Sequence, residues 1–316
     1  MALAIFSYMS NSFIVLVYAR SPQLRTPFNS YLLTLSLLDL IKSSTSSVNN
    51  ISNYLRFRWV FGEFMCLLNL YCAQITSACI VTIHVLISLN RLWAVTFPFS
   101  YRTRHTRKLA AGLIIAVVVV LNALSLPVFL DHDCRSRTPG LAHLCIYNLG
   151  YDTLYRGLYG YLTHLIPQML VTIIYPIVFW KVKILRKTRD DMVMQPIQKA
   201  EQYNSHSVTR AVDITVVADN SKKQPHIPEG SGWQKRNRHF TVLTILFINS
   251  LLFWTPGHVI YSFMMTASFL DVRTLAIVNY LFSLDCTMNP FLCMLASKPW
   301  RCEAVNSVGQ IRHLYS

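Results

Sequence analysis

Residues 66–98 read CLLNLYCAQITSACIVTIHVLISLNRLWAVTFP. From Leu67 to Ile87 the stretch is predominantly apolar and carries no Asp, Glu, Lys or Arg. About 20 such residues, wound as a helix, cross the hydrocarbon core of a bilayer. Arg91 closes the run, and Arg102, Arg104, Arg107 and Lys108 follow it. Basic residues gather on the cytoplasmic side of spanning helices, so this end faces inward. Working outward, further apolar blocks occupy Ala2–Tyr18, about Ser30–Asn53, Leu109–Leu130, about Tyr155–Leu185, Arg236–Ala267 and Thr274–Leu295. With 66–98 they make seven spans. The expected fold class is an all-α membrane protein, a seven-helix bundle with 66–98 as its central strut.

Composition agrees. The chain is 53% hydrophobic and 14% charged, too apolar for a soluble domain of 316 residues. A net charge of +15 raises nucleic acid as a partner, but 22 of the 29 cationic side chains fall in four segments: 20–25, 91–108, 181–238 and 298–312. The alternate segments hold Arg56, Arg58, Arg135, Arg137, Arg156 and Arg273. This is the positive-inside pattern of a multi-pass protein with its amino terminus outside. A nucleic-acid binder has no reason to segregate charge so, and nucleic acid is rejected. The expected partner is the lipid bilayer.

The organisation expected is one domain over 1–308 and a short cytoplasmic tail over 309–316. Residues 186–235, polar and without a sustained apolar period, read as a flexible inner loop. Lys298 to Val308 reads as a short amphipathic helix on the inner surface. The first span lacks a basic start and a cleavage pattern, so it is not read as a signal peptide. A parent protein with a longer outer amino-terminal segment is one expectation. No internal repeat is visible, which argues against a transporter. The eight cysteines include no zinc-type Cys-x-x-Cys pair, and the pairs His132-Asp133-Cys134 and His143-Leu144-Cys145 are not taken as a metal site. Phosphate-binding glycine loops, nucleophile elbows and His-Glu-x-x-His are missing from the sequence, so enzymatic activity has no support.

Landmarks recur along the chain. Asn11 is the one amide of the first span, and Leu35-Ser36-Leu37-Leu38-Asp39 places a carboxylate in the second. Trp59-Val60-Phe61-Gly62 precedes Cys66, Asn90-Arg91-Leu92 ends the third span, and Pro98 follows seven residues after Arg91. Pro167 and Tyr175 lie in the fifth, Phe253-Trp254-Thr255-Pro256 in the sixth, and Asn289-Pro290-Phe291-Leu292-Cys293 in the seventh. In this order they resemble the rhodopsin-like (class A) G-protein-coupled receptors, most nearly peptide and orphan receptors of invertebrate type. The resemblance covers nearly the whole chain.

It implies a plasma-membrane receptor coupling an extracellular ligand to a heterotrimeric G protein, with the sixth span swinging outward. It implies a switch of Arg91, Asn90, Tyr175, Asn289 and Pro290, and a Cys66–Cys145 disulfide. Cys145 lies 22 residues before Pro167, a spacing similar to the family's, whereas Cys134 lies 33 before it. Asn90 stands where the family has an acid, Leu92 and Cys293 where it has tyrosines, and the fourth span lacks its tryptophan. The resting lock on Arg91 is therefore expected to be weak; the plainer reading is an interfacial arginine reaching for water. Ionisable groups inside spans are functional by default. Asp39, Lys42, Asp285, Asn289 and Asn11 form an expected polar cluster, in which Lys42 as internal countercharge is favoured over a sodium ion. No other cofactor is expected.

The ligand is narrowed by what the resemblance excludes. Ala73 replaces the aspartate of aminergic receptors, and Ser283 the retinal lysine of opsins. Gln74, Asn49, Tyr159, Trp254, His258, Tyr261 and Asn279 remain as pocket residues, a polar and aromatic set suited to a short peptide. A lipid or an acidic small molecule met by Arg56 and Arg58, or a receptor-shaped fragment that does not signal, are the alternatives. Cys302 is a candidate for palmitoylation.

Overall fold

The computed structural model describes residues 2–52, 58–130, 145, 153–208, 248–266, 272–296 and 299–306. Seven long helices run in chain order: α1 (Ala2–Arg20), α2 (Pro27–Asn50), α3 (Gly62–Thr96), α4 (Arg107–Leu130), α5 (Thr153–Gly160, Tyr161–Leu165 and Ile166–Val208), α6 (Ser250–Trp254 and Thr255–Thr266) and α7 (Val272–Ala296). Two short helices, Pro98–Arg104 and 299–306, lie beyond α3 and α7.

Local sequence explains the boundaries. Thr26 caps α2 by accepting a hydrogen bond from the Asn29 amide at 3.2 Å, and Pro27 starts the helix with its φ already set. α3 begins at Gly62, whose φ of 79° suits a residue without a Cβ, and Trp59 Nε1 donates to the Gly62 carbonyl at 2.6 Å. At 35 residues α3 is about 50 Å long, well beyond the hydrocarbon thickness. α1, α3, α4 and the first half of α5 each contain a stretch long and apolar enough to cross a membrane. α2 is more polar, yet Asp39, Lys42, Ser43 and Thr45 are buried against neighbouring helices. Polar residues in a spanning helix are expected on the faces turned into the bundle.

α3 sits centrally, touching α2, α4 and α5, and α1 closes the bundle against α2 and α7. One buried cluster joins Phe28, Tyr31, Ile83, Ile87, Val171 and Tyr175 towards the inner side. Another joins Leu35, Ile80, Val81, Trp254, Val278 and Phe282 at mid-depth. Trp300 and Ala304 of the last short helix pack on Ile14, Val17 and Leu24, so the expected helix after the seventh span is present and anchored on α1.

Two stretches differ from expectation. Helix α5 does not end near Leu185 but continues to Val208, so residues 186–208 are helix rather than the flexible loop expected over 186–235. About half of that stretch is Lys, Arg, Met, Gln, Glu or Ala, and extending an existing helix avoids the cost of nucleation. The inner loop Ser100–Lys108 likewise contains most of the helix Pro98–Arg104. Residues 209–247, including the start of the sixth span and Lys235–Arg238, lie outside the described residues. So do Arg56, Cys134 and the tail 309–316.

α5 and α6 each contain a π turn, Tyr161–Leu165 and Ser250–Trp254. Each lies just before a proline, Pro167 or Pro256. Proline has no N–H for the carbonyl four residues back, here Thr163 or Leu252, and both of those sit inside the π turns. Gln168 Nε2 donates to Thr255 Oγ1 at 2.9 Å, tying the two helices together beyond these turns.

Candidate functional site

Functional side chains lie at three depths. At the centre, α2, α6 and α7 bring Asp39, Asn249, Asp285 and Asn289 into one buried network. Asn289 Nδ2 donates to Asp39 Oδ2 at 3.1 Å and to Asp285 Oδ2 at 3.0 Å. Asn249 Nδ2 donates to Asp285 Oδ1 at 2.5 Å and to Asn289 Oδ1 at 3.1 Å. Asp285 and Asn289 are one turn apart on α7, which places both side chains on one face. Asn11 is fully buried beside this network but donates to the carbonyls of Ser7 and Cys286, both at 3.0 Å, rather than to a carboxylate.

Lys42 is not part of it. Although Asp39 and Lys42 are three residues apart on α2, Lys42 Nζ turns to α3 and donates to Ser77 Oγ at 2.6 Å, with the Ala73 carbonyl at 3.5 Å. The expected Asp39–Lys42–Asp285 charge cluster is thus corrected. Lys42 is drawn instead over the face of Phe282, 5.5 Å from the ring centroid, where the ring quadrupole attracts a cation. The carboxylates accept from the Asn249 and Asn289 amides, and Asp39 Oδ1 has no hydrogen-bond partner among the described residues. Two carboxylates and an amide oxygen are hard ligands of the kind a small cation takes.

Above this network lies an aromatic and imidazole cluster. Trp254 and Phe282 have centroids 4.9 Å apart, and His258 contacts them at 4.9 and 5.1 Å. His258 meets His164 at 5.1 Å, and His164 Nε2 lies 3.2 Å from Gln74 Nε2. Tyr159, whose hydroxyl shares a 2.6 Å hydrogen bond with Ser125, flanks His164 at 6.3 Å. Thus Gln74, Ala73, Tyr159, Trp254 and His258, expected as pocket residues, occupy one region of α3, α5 and α6. Asn49 and Asn279 are half-buried on α2 and α7 but do not join the cluster through its ring contacts. The side chain of Tyr261 lies outside the described residues.

Cys66 at the start of α3 is disulfide-bonded to Cys145 with Cα atoms 5.5 Å apart. The bridge packs against Trp59, Leu70 and Phe129, which fixes the outer end of α3. At its inner end Arg91 is half-buried, and its Nε and Nη2 have no hydrogen-bond partner among the described residues. Its guanidinium lies 3.6 Å from the Phe28 ring centroid, and it is within electrostatic range of Tyr175. Asn90 is buried, and its side-chain oxygen and nitrogen are both unbonded among the described residues. His105, outside the spans, stacks on Tyr101 at 4.6 Å. Burial first, and then the charge of Arg91, hold its imidazole below the usual range. Pro290 is buried within α7, and Cys302 is exposed on the last short helix.

Sequence reasoning missed His164, Asn249, Ser77 and Phe282. Asn249 was legible as the single amide of the run Ile248–Trp254, and His164 as an ionisable group three residues before Pro167. Ser77 and Phe282 carry no such signal, because their roles depend on where Lys42 points.

Residues 10–292 match the family described as "7 transmembrane receptor (rhodopsin family)". Among relatives, the chain is 31% identical over 121 residues to a melanopsin-like protein of Danio rerio, covering 38% of this chain and 24% of that one. It is 32% identical over 121 residues to the 5-hydroxytryptamine receptor 1B of Didelphis virginiana, covering 38% and 31%. It is 27% identical over 178 residues to the allatostatin-A receptor of Bombyx mori, covering 55% and 49%. The matches thus span about a quarter to a half of these relatives' lengths.

Proposed function

We propose, given that this chain belongs to the rhodopsin family of seven-transmembrane receptors, that it couples binding of an extracellular ligand to nucleotide exchange on a heterotrimeric G protein. The observation that carries this is the single helix α3. The disulfide Cys66, the pocket residue Gln74 and the inner arginine Arg91 all stand on it, so a ligand-side change reaches the cytoplasmic face through one rigid rod. An agonist that binds better when α6 is displaced outward shifts the population towards that state. Arg91, with its partly unbonded guanidinium and Tyr175 nearby, is the group freed for the partner. The receptor sits in the plasma membrane with its amino terminus outside, the arrangement that the distribution of basic residues supports. Cys302, exposed beside the buried Trp300, is the acylation site in this reading.

A short peptide is the ligand we favour. Gln74, His164, His258 and Tyr159 offer the donors and acceptors that a peptide backbone needs, between aromatic walls. Ala73 offers no carboxylate to a protonated amine. The allatostatin-A receptor match, which covers the larger share of this chain among the three, points the same way. The test is a peptide-library screen in cells carrying the chain and a promiscuous G protein, with surface labelling in parallel. Peptide-dependent activation that is lost on Gln74→Ala is expected. A chain labelled at the surface but silent to every peptide would refute the peptide assignment, and one silent also in basal nucleotide exchange would refute coupling.

A further inference from the structure

We propose that Lys42, His164, His258 and Gln74 form an anion subsite that takes a carboxylate of the ligand. It rests on the outer half of the bundle being the ligand site, and it names the chemistry recognised there.

Lys42 is 7% exposed, deep in a bundle whose surroundings penalise an unpaired charge. Its contacts are the Ser77 hydroxyl, the Ala73 carbonyl and the Phe282 ring, and none of these carries a negative charge. The acids on the same side of the bundle, Asp39 and Asp285, accept from Asn249 and Asn289 and not from Lys42. The cation therefore has hydrogen-bond partners and no counterion among the described residues.

Around it the side chains close a loop. Phe282 links Lys42 to His258, His258 contacts His164, and His164 reaches Gln74, the neighbour of Ala73. His164 and His258 are 3% and 2% exposed, and both lie within electrostatic range of Lys42. His164 Nδ1 and both ring nitrogens of His258 have no hydrogen-bond partner among the described residues. A buried polar nitrogen without a partner carries an uncompensated desolvation cost. Here three such atoms and an ammonium gather where the described residues supply no acid. A carboxylate answers both deficits: it neutralises Lys42 and accepts hydrogen bonds from imidazole N–H and the Gln74 amide. The Trp254 and Phe282 rings beside it favour an apolar or aromatic body attached to that carboxylate.

Thermal unfolding of the purified full chain in benzoate or benzamide, at fixed chloride, tests this directly. The two probes share a ring and differ in charge. Benzoate is expected to raise Tm saturably and benzamide not, with Lys42→Met losing the shift and Lys42→Arg keeping most of it. Equal shifts from both probes, or a benzoate shift that survives Lys42→Met, would overturn the subsite; the wild-type comparison stands even if a variant folds poorly. A peptide library made in paired carboxyl-terminal acid and amide forms then separates the sources. At least tenfold preference for the free acid assigns a peptide terminus, and potency that follows Asp or Glu content assigns a side chain. Benzoate binding without peptide activation keeps the subsite and assigns it to a small organic acid, against the peptide reading. Peptides acting regardless of any carboxylate, with benzoate silent, refute the subsite and leave the peptide reading intact.

Discussion

Asn90 buries an amide with neither polar atom hydrogen-bonded among the described residues, one position before an arginine whose guanidinium is only partly satisfied. An acid there would hold Arg91 by a charge-assisted bond, worth about 1 kcal/mol more than a neutral contact. Asn90→Asp is therefore expected to lower basal nucleotide exchange about fivefold, read by guanine-nucleotide binding in membranes without ligand. Unchanged basal exchange would mean that Arg91 is held by its contacts with Phe28 and Tyr175 instead. Asp39 and Asp285 allow a second test. If this network takes a sodium ion, replacing sodium by N-methylglucamine should lower Tm of the purified chain. Asp285→Asn should abolish that difference and Lys42→Met should not. Sodium indifference in the wild type would mark the network as amide-bonded only. Asp285 and Asn289 were legible as neighbours, because helical periodicity fixes which positions of α7 share a face, whereas Asp39 meets them from α2 through packing. Sequence misplaced Lys42, since a four-carbon stem can carry its ammonium well away from its own position on the helix.

At the scale of the helix, Gly257 decides how closely α6 and α7 approach. A Cβ at this position would lie 2.6 Å from Phe282 Cε1, a distance at which something must move. Gly257→Ala should destabilise the chain by about 1–3 kcal/mol through overpacking, seen as a lower Tm. Because Phe282 is the atom source of the clash, Gly257→Ala with Phe282→Leu should recover part of the loss, a non-additivity expected of touching residues. Helix positions were legible from apolar length, and the ends of α1, α4 and α7 fall within about three residues of expectation. The end of α5 was not. Loss of the apolar period at Leu185 marks where helix α5 leaves the membrane, and a polar helix continuing into water carries no hydropathy signal.

For the whole molecule, the Cys66–Cys145 bridge closes a loop with a sequence separation of 79 residues. By chain entropy such a loop contributes roughly 4 kcal/mol. Cys66→Ser and Cys145→Ser should each cut surface expression strongly and the double variant no further, measured by labelling intact cells; additive losses would show that the cysteines act separately. The bundle was legible as a whole because charge segregation and span count are global properties that no single substitution hides. Ligand contacts were less so, since they depend on side chains from four helices meeting at one depth. The two π turns carry a last implication for motion. Each holds one residue more per turn than an α-helix, and that residue amounts to about 100° of axial rotation. Relaxing the turn at Ser250–Trp254 to α geometry would turn Ile248 and Asn249 relative to Thr255–Thr266. The Gln168–Thr255 bond would keep the outer part of α6 tethered to α5. A one-residue change of phase at this turn would therefore change the face on which Asn249 meets Asp285 and Asn289, while the Thr255 end stays in register with α5.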